Sequence, residues 1–246
     1  MKVRLLLATL VMLIPSDFSL TQPKQNSANS PTVSISLPAD IPSELVQIRY
    51  FLIGSFGGYG GYVEPKSGQT AYEIEAFTAG EPAKSIKILI YAQGCRFQTF
   101  DLDLTQFPIS KERFVCESLP SVRITGEVPS DLIRDENTEL NVRYVAIWAN
   151  RFFGIADGPV PEFQVATTRP DSEGNFRLDI SDFSVDKTAS SYQGGASLSF
   201  MLRDSKTLNP IALNLGPEEA EYQSEIHGLR ILPSYRNGIK FVNSSE

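Results

Sequence analysis

The chain has 246 residues, a formal charge of -7 from 22 Lys and Arg against 29 Asp and Glu, two Cys and one His. An acidic chain without a basic cluster is a poor partner for nucleic acid, whose phosphates require grouped Lys and Arg. The single His, His227 before Gly228, leaves little for Ser-His-Asp or Cys-His catalysis, and no nucleophile-elbow motif occurs.

Lys2 and Arg4 precede an apolar run from Leu5 to Ile14 that Pro15 ends. The run is too short to span a bilayer and has the length of a secretory h-region, so residues 1–21 are expected to be a signal peptide, with cleavage near Gln22. No second apolar stretch is long enough for a membrane span. Residues 22–31, rich in Gln, Asn and Ser, read as a flexible leader. A secreted or periplasmic location follows, and oxidising surroundings of that kind preserve structural disulfides.

From Thr32 the pattern is that of strands. Val33, Ile35 and Leu37, then Val46, Ile48, Tyr50 and Leu52, then Tyr72, Ile74 and Ala76 fall at alternate positions, while Pro38, Pro42, Pro65 and Pro82 sit in the gaps. No apolar set recurs at helical spacing over three turns. Between the second and third runs lies a glycine-rich stretch, from Gly54 to Tyr62. It lacks the helix and fixed Lys of a phosphate loop, and reads either as a long hairpin connection whose aromatics lie back on the sheet or as a surface loop that presents Phe56, Tyr59 and Tyr62 as a candidate ligand-binding loop, since aromatic faces stack on sugars and peptides.

Ile86, Ile88 and Ile90 alternate with Lys87, Leu89 and Tyr91, a strand with one face buried and the other mixed. Gln93 and Gly94 turn the chain into a hairpin partner, Cys95 to Leu104. There Phe97 is out of phase with Phe100, Leu102 and Leu104, which suggests a bulge near Thr99. A third strand, Arg113 to Leu119, carries Cys116. Cys95 and Cys116 are expected to form one disulfide.

A boundary near Pro120 divides the chain into a β-sandwich of residues 32–120 and a second of residues 121–246. In the second, Val122 to Val128 is a strand. Leu140, Val142, Tyr144, Ala146 and Trp148 share one face of the longest strand, with Trp148 in the core. Asp171 to Asn175 has turn chemistry and joins Thr167 to Ile180 as a hairpin; a calcium loop would need more oxygen ligands than Asp171, Glu173 and Asn175. Leu198 to Leu202, Ile211 to Leu215, Leu229 with Ile231, and Ile239 with Phe241 read as further strands.

The run from Thr168 through Phe176 to Phe183 resembles carboxypeptidase regulatory-like and transthyretin-like β-sandwich modules. A wider resemblance, to uncharacterised secreted bacterial proteins of acidobacterial type, rests on Phe56 to Tyr62, Ile86 to Ala92, Gly94 with Cys95, Thr99 to Leu102, and Cys116. It implies an all-β fold of two antiparallel Ig-like or transthyretin-like sandwiches in tandem, and no catalytic residue. The expected function is a non-catalytic binding or accessory module of the cell envelope, without metal or cofactor, whose partner is a protein or glycan at the cell surface. Two alternatives remain: a purely structural envelope component, and a carboxylate-dependent glycoside hydrolase using a pair such as Asp101 with Asp103, Glu73 with Glu75, or Asp179 with Asp182.

Overall fold

The computed structural model describes residues 31–63, 66–78, 80–106, 108–156 and 158–211, and the backbone of 225–226, 229–231 and 240–242. The expected signal peptide, residues 22–30 of the leader, the run from Leu213 to Leu215, and His227 lie outside them.

The first half holds β1 (Thr32–Ser36), β2 (Val46–Ile53), β3 (Gly58–Val63), β4 (Ala71–Glu75), the short β5 (Phe77–Thr78) and β6 (Glu81–Pro82), β7 (Ser85–Ala92), β8 (Gln98–Asp103) and β9 (Ile109–Arg113). Then follow β10 (Ser121–Glu127), β11 (Thr138–Val145), helix α1 (Ile147–Phe153), β12 (Glu162–Thr168), β13 (Asn175–Ser181), helix α2 (Lys187–Ser191), β14 (Ser197–Asp204), β15 (Glu225–Ile226), β16 (Leu229–Ile231) and β17 (Lys240–Val242). The fold is an all-β sandwich. Its larger sheets run β4-β1-β9, β3-β2-β7-β8, β12-β11-β14-β16-β15 and β13-β10-β17. Pairing is antiparallel except between β1 and β9 and between β14 and β16. No helix among the described residues is long and apolar enough to cross a membrane.

Two cores result from the alternation. Val33 and Ile35 of β1, Ile48 and Leu52 of β2, Tyr72 and Ile74 of β4, and Ile86, Ile88 and Ile90 of β7 fill one of them. Leu140, Val142 and Tyr144 of β11, Leu178 and Ile180 of β13, and Leu198, Phe200 and Leu202 of β14 fill the other. The second core also takes in Leu89 and Tyr91 of β7 and Phe97 beyond it, so β7 is buried on both faces. Lys87 shares its second face, which makes that face look mixed in the sequence. That lysine reaches across, donating to the carbonyl of Phe152 at 2.9 Å and pairing with Asp101 at 3.1 Å.

Phe97 is the meeting point. Its ring centroid lies 5.0 Å from Tyr91, 4.9 Å from Tyr144, 5.5 Å from Trp148 and 5.0 Å from Phe163. Its backbone N–H donates to the buried Asp186 carboxylate at 3.2 Å, and the same carboxylate caps α2 through Thr188 N–H at 2.9 Å. The bulge expected near Thr99 is absent, because β7 and β8 pair in unbroken register from Ser85↔Asp103 to Ile90↔Gln98. Phe97 and Phe100 point opposite ways because each side of the sheet has a core to enter.

Cys95 and Cys116 form a disulfide across a separation of 21 residues, which stabilises the fold by about 3 kcal/mol on chain-entropy grounds. Neither cysteine is on a strand as expected. Cys95 follows the Gly94 turn, whose φ is 84°, and the third strand ends at Arg113, with Ser118 making only an isolated bridge to Cys95.

Two further readings are corrected. Trp148 belongs to α1, not to the end of a long strand. The strand stops at Val145, and Gly154 closes the helix in the left-handed region at φ 76°. Trp148 remains core, its Nε1–H donating to the Tyr144 hydroxyl at 3.1 Å. The turn from Asp171 to Asn175 exists but makes no hairpin, since β12 pairs with β11 and β13 pairs with β10. It carries the chain between sheets, with Gly174 at φ 93° and its carbonyl accepting from Val128 N–H at 2.9 Å. A Cβ on Gly174 would lie 2.0 Å from the Val128 oxygen.

Exposed aspartates latch several turns. Asp103, Asp135 and Asp171 are held below the usual carboxylate range by side-chain hydrogen bonds from Thr105, Asn137 and Asn175, and Asp204 by the Thr207 N–H. A depressed folded-state value means the stabilisation is present above the unfolded carboxylate value of about 4 and is lost as pH falls through the folded one. The melting temperature is therefore expected to fall on acidification below about pH 4, with a shallower acid slope in Asp103→Asn and Asp171→Asn. Separately, Phe97→Ala is expected to cost about 3–5 kcal/mol in urea denaturation, against about 0.5 or less for the exposed Phe56→Ala.

Candidate functional site

The glycine-rich stretch is not a long loop. Only residues 54–57 form the turn, closed by Gly54 N–H to the Gly57 carbonyl at 2.8 Å with Gly57 at φ 143°, and the chain then returns as β3 along β2. The glycines are there for the neighbouring strand. A Cβ on Gly58 would lie 2.3 Å from the Phe51 ring and one on Gly61 2.4 Å from the Tyr50 ring, whereas one on Gly60 would come no nearer than 3.5 Å to anything. Rings of β2 thus lie over bare backbone of β3.

β3 ends its sheet and carries no charged residue. Phe56 is 87% exposed, and Tyr59 and Tyr62 are each 60% exposed. Phe56 alone lies in the turn. Tyr59 and Tyr62 stand three apart on one strand and so face opposite sides, Tyr59 opposite Leu52 and Tyr62 opposite Arg49. The three rings do not form one platform.

A groove of about 460 Å³ lies on the Arg49 side of β3, and a second, of about 600 Å³, between β3 and β4. The second is lined by Tyr50, Tyr62, Tyr72, Gln69, Glu73 and Glu75. Burial and the neighbouring Tyr59 push the Tyr50 hydroxyl up from its ordinary value. The Tyr72 hydroxyl is buried with no hydrogen-bond partner among the described residues. Rings, an amide, two carboxylates and the Lys66 ammonium around an open groove are what a polyhydroxylated ring requires: apolar faces to cover its C–H side and acceptors and donors for its hydroxyls.

The first groove sits where β2 meets β11 and β12. Arg143 Nη1 donates to Glu162 Oε2 at 2.9 Å and its Nε to Asn141 Oδ1 at 3.1 Å. Arg49 lies 5.2 Å over the Tyr62 ring and 5.7 Å over the Phe163 ring, and its Nη2 donates to the Glu162 carbonyl at 3.3 Å. Gln47 and Gln164 bond reciprocally, at 2.7 and 3.0 Å. Burial pulls the Arg49 guanidinium down from its ordinary value. Sequence reasoning missed this constellation, whose members lie up to 117 positions apart and whose only trace is an arginine inside each of two apolar alternations.

Two of the three carboxylate pairs offered for hydrolysis have members engaged elsewhere. Asp101 pairs with Lys87, Asp179 pairs with Arg123 at 3.0 Å, and Asp182 accepts from Ser184 N–H at 3.0 Å. Asp103 is shifted down, the wrong direction for a general acid. Glu73 and Glu75 line the β3–β4 groove. Asp171 Oδ1 accepts from the N–H groups of Glu173 and Asn175 at 2.9 and 2.8 Å, which is turn formation, and no group of three metal-ligating side chains occurs among the described residues.

No protein-family model matches the chain, and no curated protein matches it. Among solved structures, a candidate adhesin from Bacteroides ovatus matches at 11% identity with a TM-score of 0.23, over 75% of this chain and 81% of the other. A likeness at that score carries no argument about fold or function.

The ring-over-glycine packing gives a direct test. Gly58→Ala and Gly61→Ala are each expected to lower stability by about 1–3 kcal/mol in urea denaturation, because a packed ring must move. Gly60→Ala is expected to be neutral or slightly stabilising, since its Cβ meets only ordinary contact.

Proposed function

We propose that the protein is a non-catalytic binding module, exported through residues 1–21 and acting in the periplasm or outside the cell, that captures a glycan in the groove between β3 and β4. The observation that carries this reading is the groove itself, where the exposed ring of Tyr62 stands beside Gln69, Glu73 and Glu75 on the open edges of two sheets. The Cys95–Cys116 disulfide supports an oxidising compartment. The engagement of Asp101, Asp179 and Asp182 with their own partners weighs against the hydrolase alternative at two of its three carboxylate pairs, and the third, Glu73 with Glu75, lines the groove, where an assay of polysaccharide turnover separates capture from hydrolysis. The likeness of Thr168–Phe183 to carboxypeptidase regulatory-like modules, and the division into sandwiches of residues 32–120 and 121–246, belong to this same reading. In it the two sandwiches act as one body.

Binding of the purified protein to an array of envelope and plant polysaccharides tests it. Gln69→Ala combined with Glu73→Ala is expected to abolish capture of the glycan bound by the wild type, with the melting temperature unchanged within a few degrees because all the altered groups are at the surface. Tyr62→Ala is expected to abolish capture as well, and Tyr59→Ala, on the opposite face of β3, to weaken it less. Capture undiminished in the Gln69/Glu73 double variant rules out the groove.

A further inference from the structure

The cleft lined by Arg49, Arg143 and Glu162 holds two guanidinium groups against one carboxylate, in a chain whose formal charge is -7. A protein acidic as a whole repels anions in general, so a local surplus of positive charge in a recess is a feature of that recess and not of the surface.

The two arginines differ in what they have to do. Arg143 is engaged by Glu162 and Asn141, which is sufficient to explain it as a tie between β11 and β12. Arg49 is not explained in this way. Its hydrogen bonding among the described residues is a single long contact, 3.3 Å to a backbone carbonyl, although a guanidinium carries five N–H donors. It is partly buried, the charges near it are the Glu162 carboxylate, which already serves Arg143, and the opposing Arg143 guanidinium, and withdrawing such a cation from water is costly unless a further acceptor completes its shell. The rings of Tyr62 and Phe163 cover its faces and fix its plane, while stacking of that kind leaves the N–H edge available. A planar donor fork held in place beside a second guanidinium matches a carboxylate, which accepts two parallel N–H bonds.

The recess, about 460 Å³, is of the size that takes a small ligand, and its wall includes the side chains of Gln47 and Gln164 and the apolar Val160. Tyr62 is common to both sites, since its ring underlies Arg49 and also lines the β3–β4 groove.

We propose that the Arg49–Arg143 cleft binds the carboxylate of an acidic sugar, so that the glycan captured by this protein carries uronic acid residues. The inference rests on the glycan reading for the nature of the carrier and on the cleft alone for the charge. Glu162 competes with the ligand for Arg143, and the affinity is weakened by salt because the pairs lie near the surface.

Calorimetric titration of the whole purified protein with trigalacturonate and with its neutral methyl ester tests the proposal. The acid is expected to bind about tenfold or more tightly than the ester at low salt, and the advantage to shrink as salt is added. Arg49→Met and Arg143→Met are each expected to remove about tenfold or more of the acid's affinity and to weaken the ester's far less, so that the acid's advantage disappears. Glu162→Gln keeps both arginines and a hydrogen-bond acceptor while removing the competing charge, and is expected to tighten the acid several-fold, so the test stands even where an arginine variant folds poorly. Equal binding of acid and ester, no binding of the acid, or arginine variants that bind it as the wild type does each overturn the proposal. Loss of acid binding in the arginine variants with no effect of Gln69→Ala and Glu73→Ala would uphold the cleft and overturn the groove instead.

Discussion

The double burial of β7 is the constraint on which the rest depends. A strand with a core on one side is held in register by that core alone, whereas a strand that supplies Ile86, Ile88 and Ile90 to one core and Leu89 and Tyr91 to another is fixed from both faces. Its hairpin partner extends the effect. Phe97, just before β8, enters the aromatic cluster of Tyr144, Trp148 and Phe163, and the disulfide holds the turn that presents it. The relation between β2 and β12, and with it the arginine cleft, is set by packing that begins at β7. Neither the short chain segment around Pro120 nor the polar contacts at the surface would suffice, since exposed ion pairs contribute little.

Much of the fold was legible because period-two alternation is a strong signal wherever one face is polar. Val33 to Leu37, Val46 to Leu52 and Tyr72 to Ala76 each became the strand that was read. The failures share a cause. Alternation reports which residues lie on a common face, not what covers that face or which strand lies alongside. Phe97 seemed out of phase only if one core was assumed, and Asp171–Asn175 seemed a hairpin only if the strands it joins were assumed to pair. Trp148 continued an alternating run by coincidence. Two turns of helix supply too few residues for a helical period to stand out.

The glycine stretch shows the same limit from the other side. Its composition suggested a loop, since glycine weakens strands. In the structure Gly58 and Gly61 are required by Phe51 and Tyr50, whose rings occupy the space a Cβ would need, and this large-over-small complementarity is a property of a pair of strands and not of either sequence alone. The consequence for a binding site is direct. Because the stretch is a strand and not a loop, Tyr59 and Tyr62, three apart, stand on opposite faces.

The cleft depends on one irregularity. β12 runs in register with β11 from Thr168↔Leu140 to Ala166↔Val142, then slips so that Gln164, not Val165, faces Arg143. In a regular ladder Phe163 and Val165 would share the polar face with Thr167, and Glu162 and Gln164 would point at the core. The extra residue reverses this, because a one-residue slip exchanges the faces of every residue beyond it. Phe163 and Val165 thereby enter the core, while Glu162 and Gln164 are delivered to the cleft beside Arg143, within reach of Arg49 and Gln47. The same slip that completes the aromatic cluster around Phe97 therefore also places the acidic and amide groups of the cleft. Closing the irregularity by sliding β12 one residue along β11, with Val165 kept, would bury a carboxylate and expose a phenylalanine together, which is why stability and the cleft cannot be separated at this point in the chain.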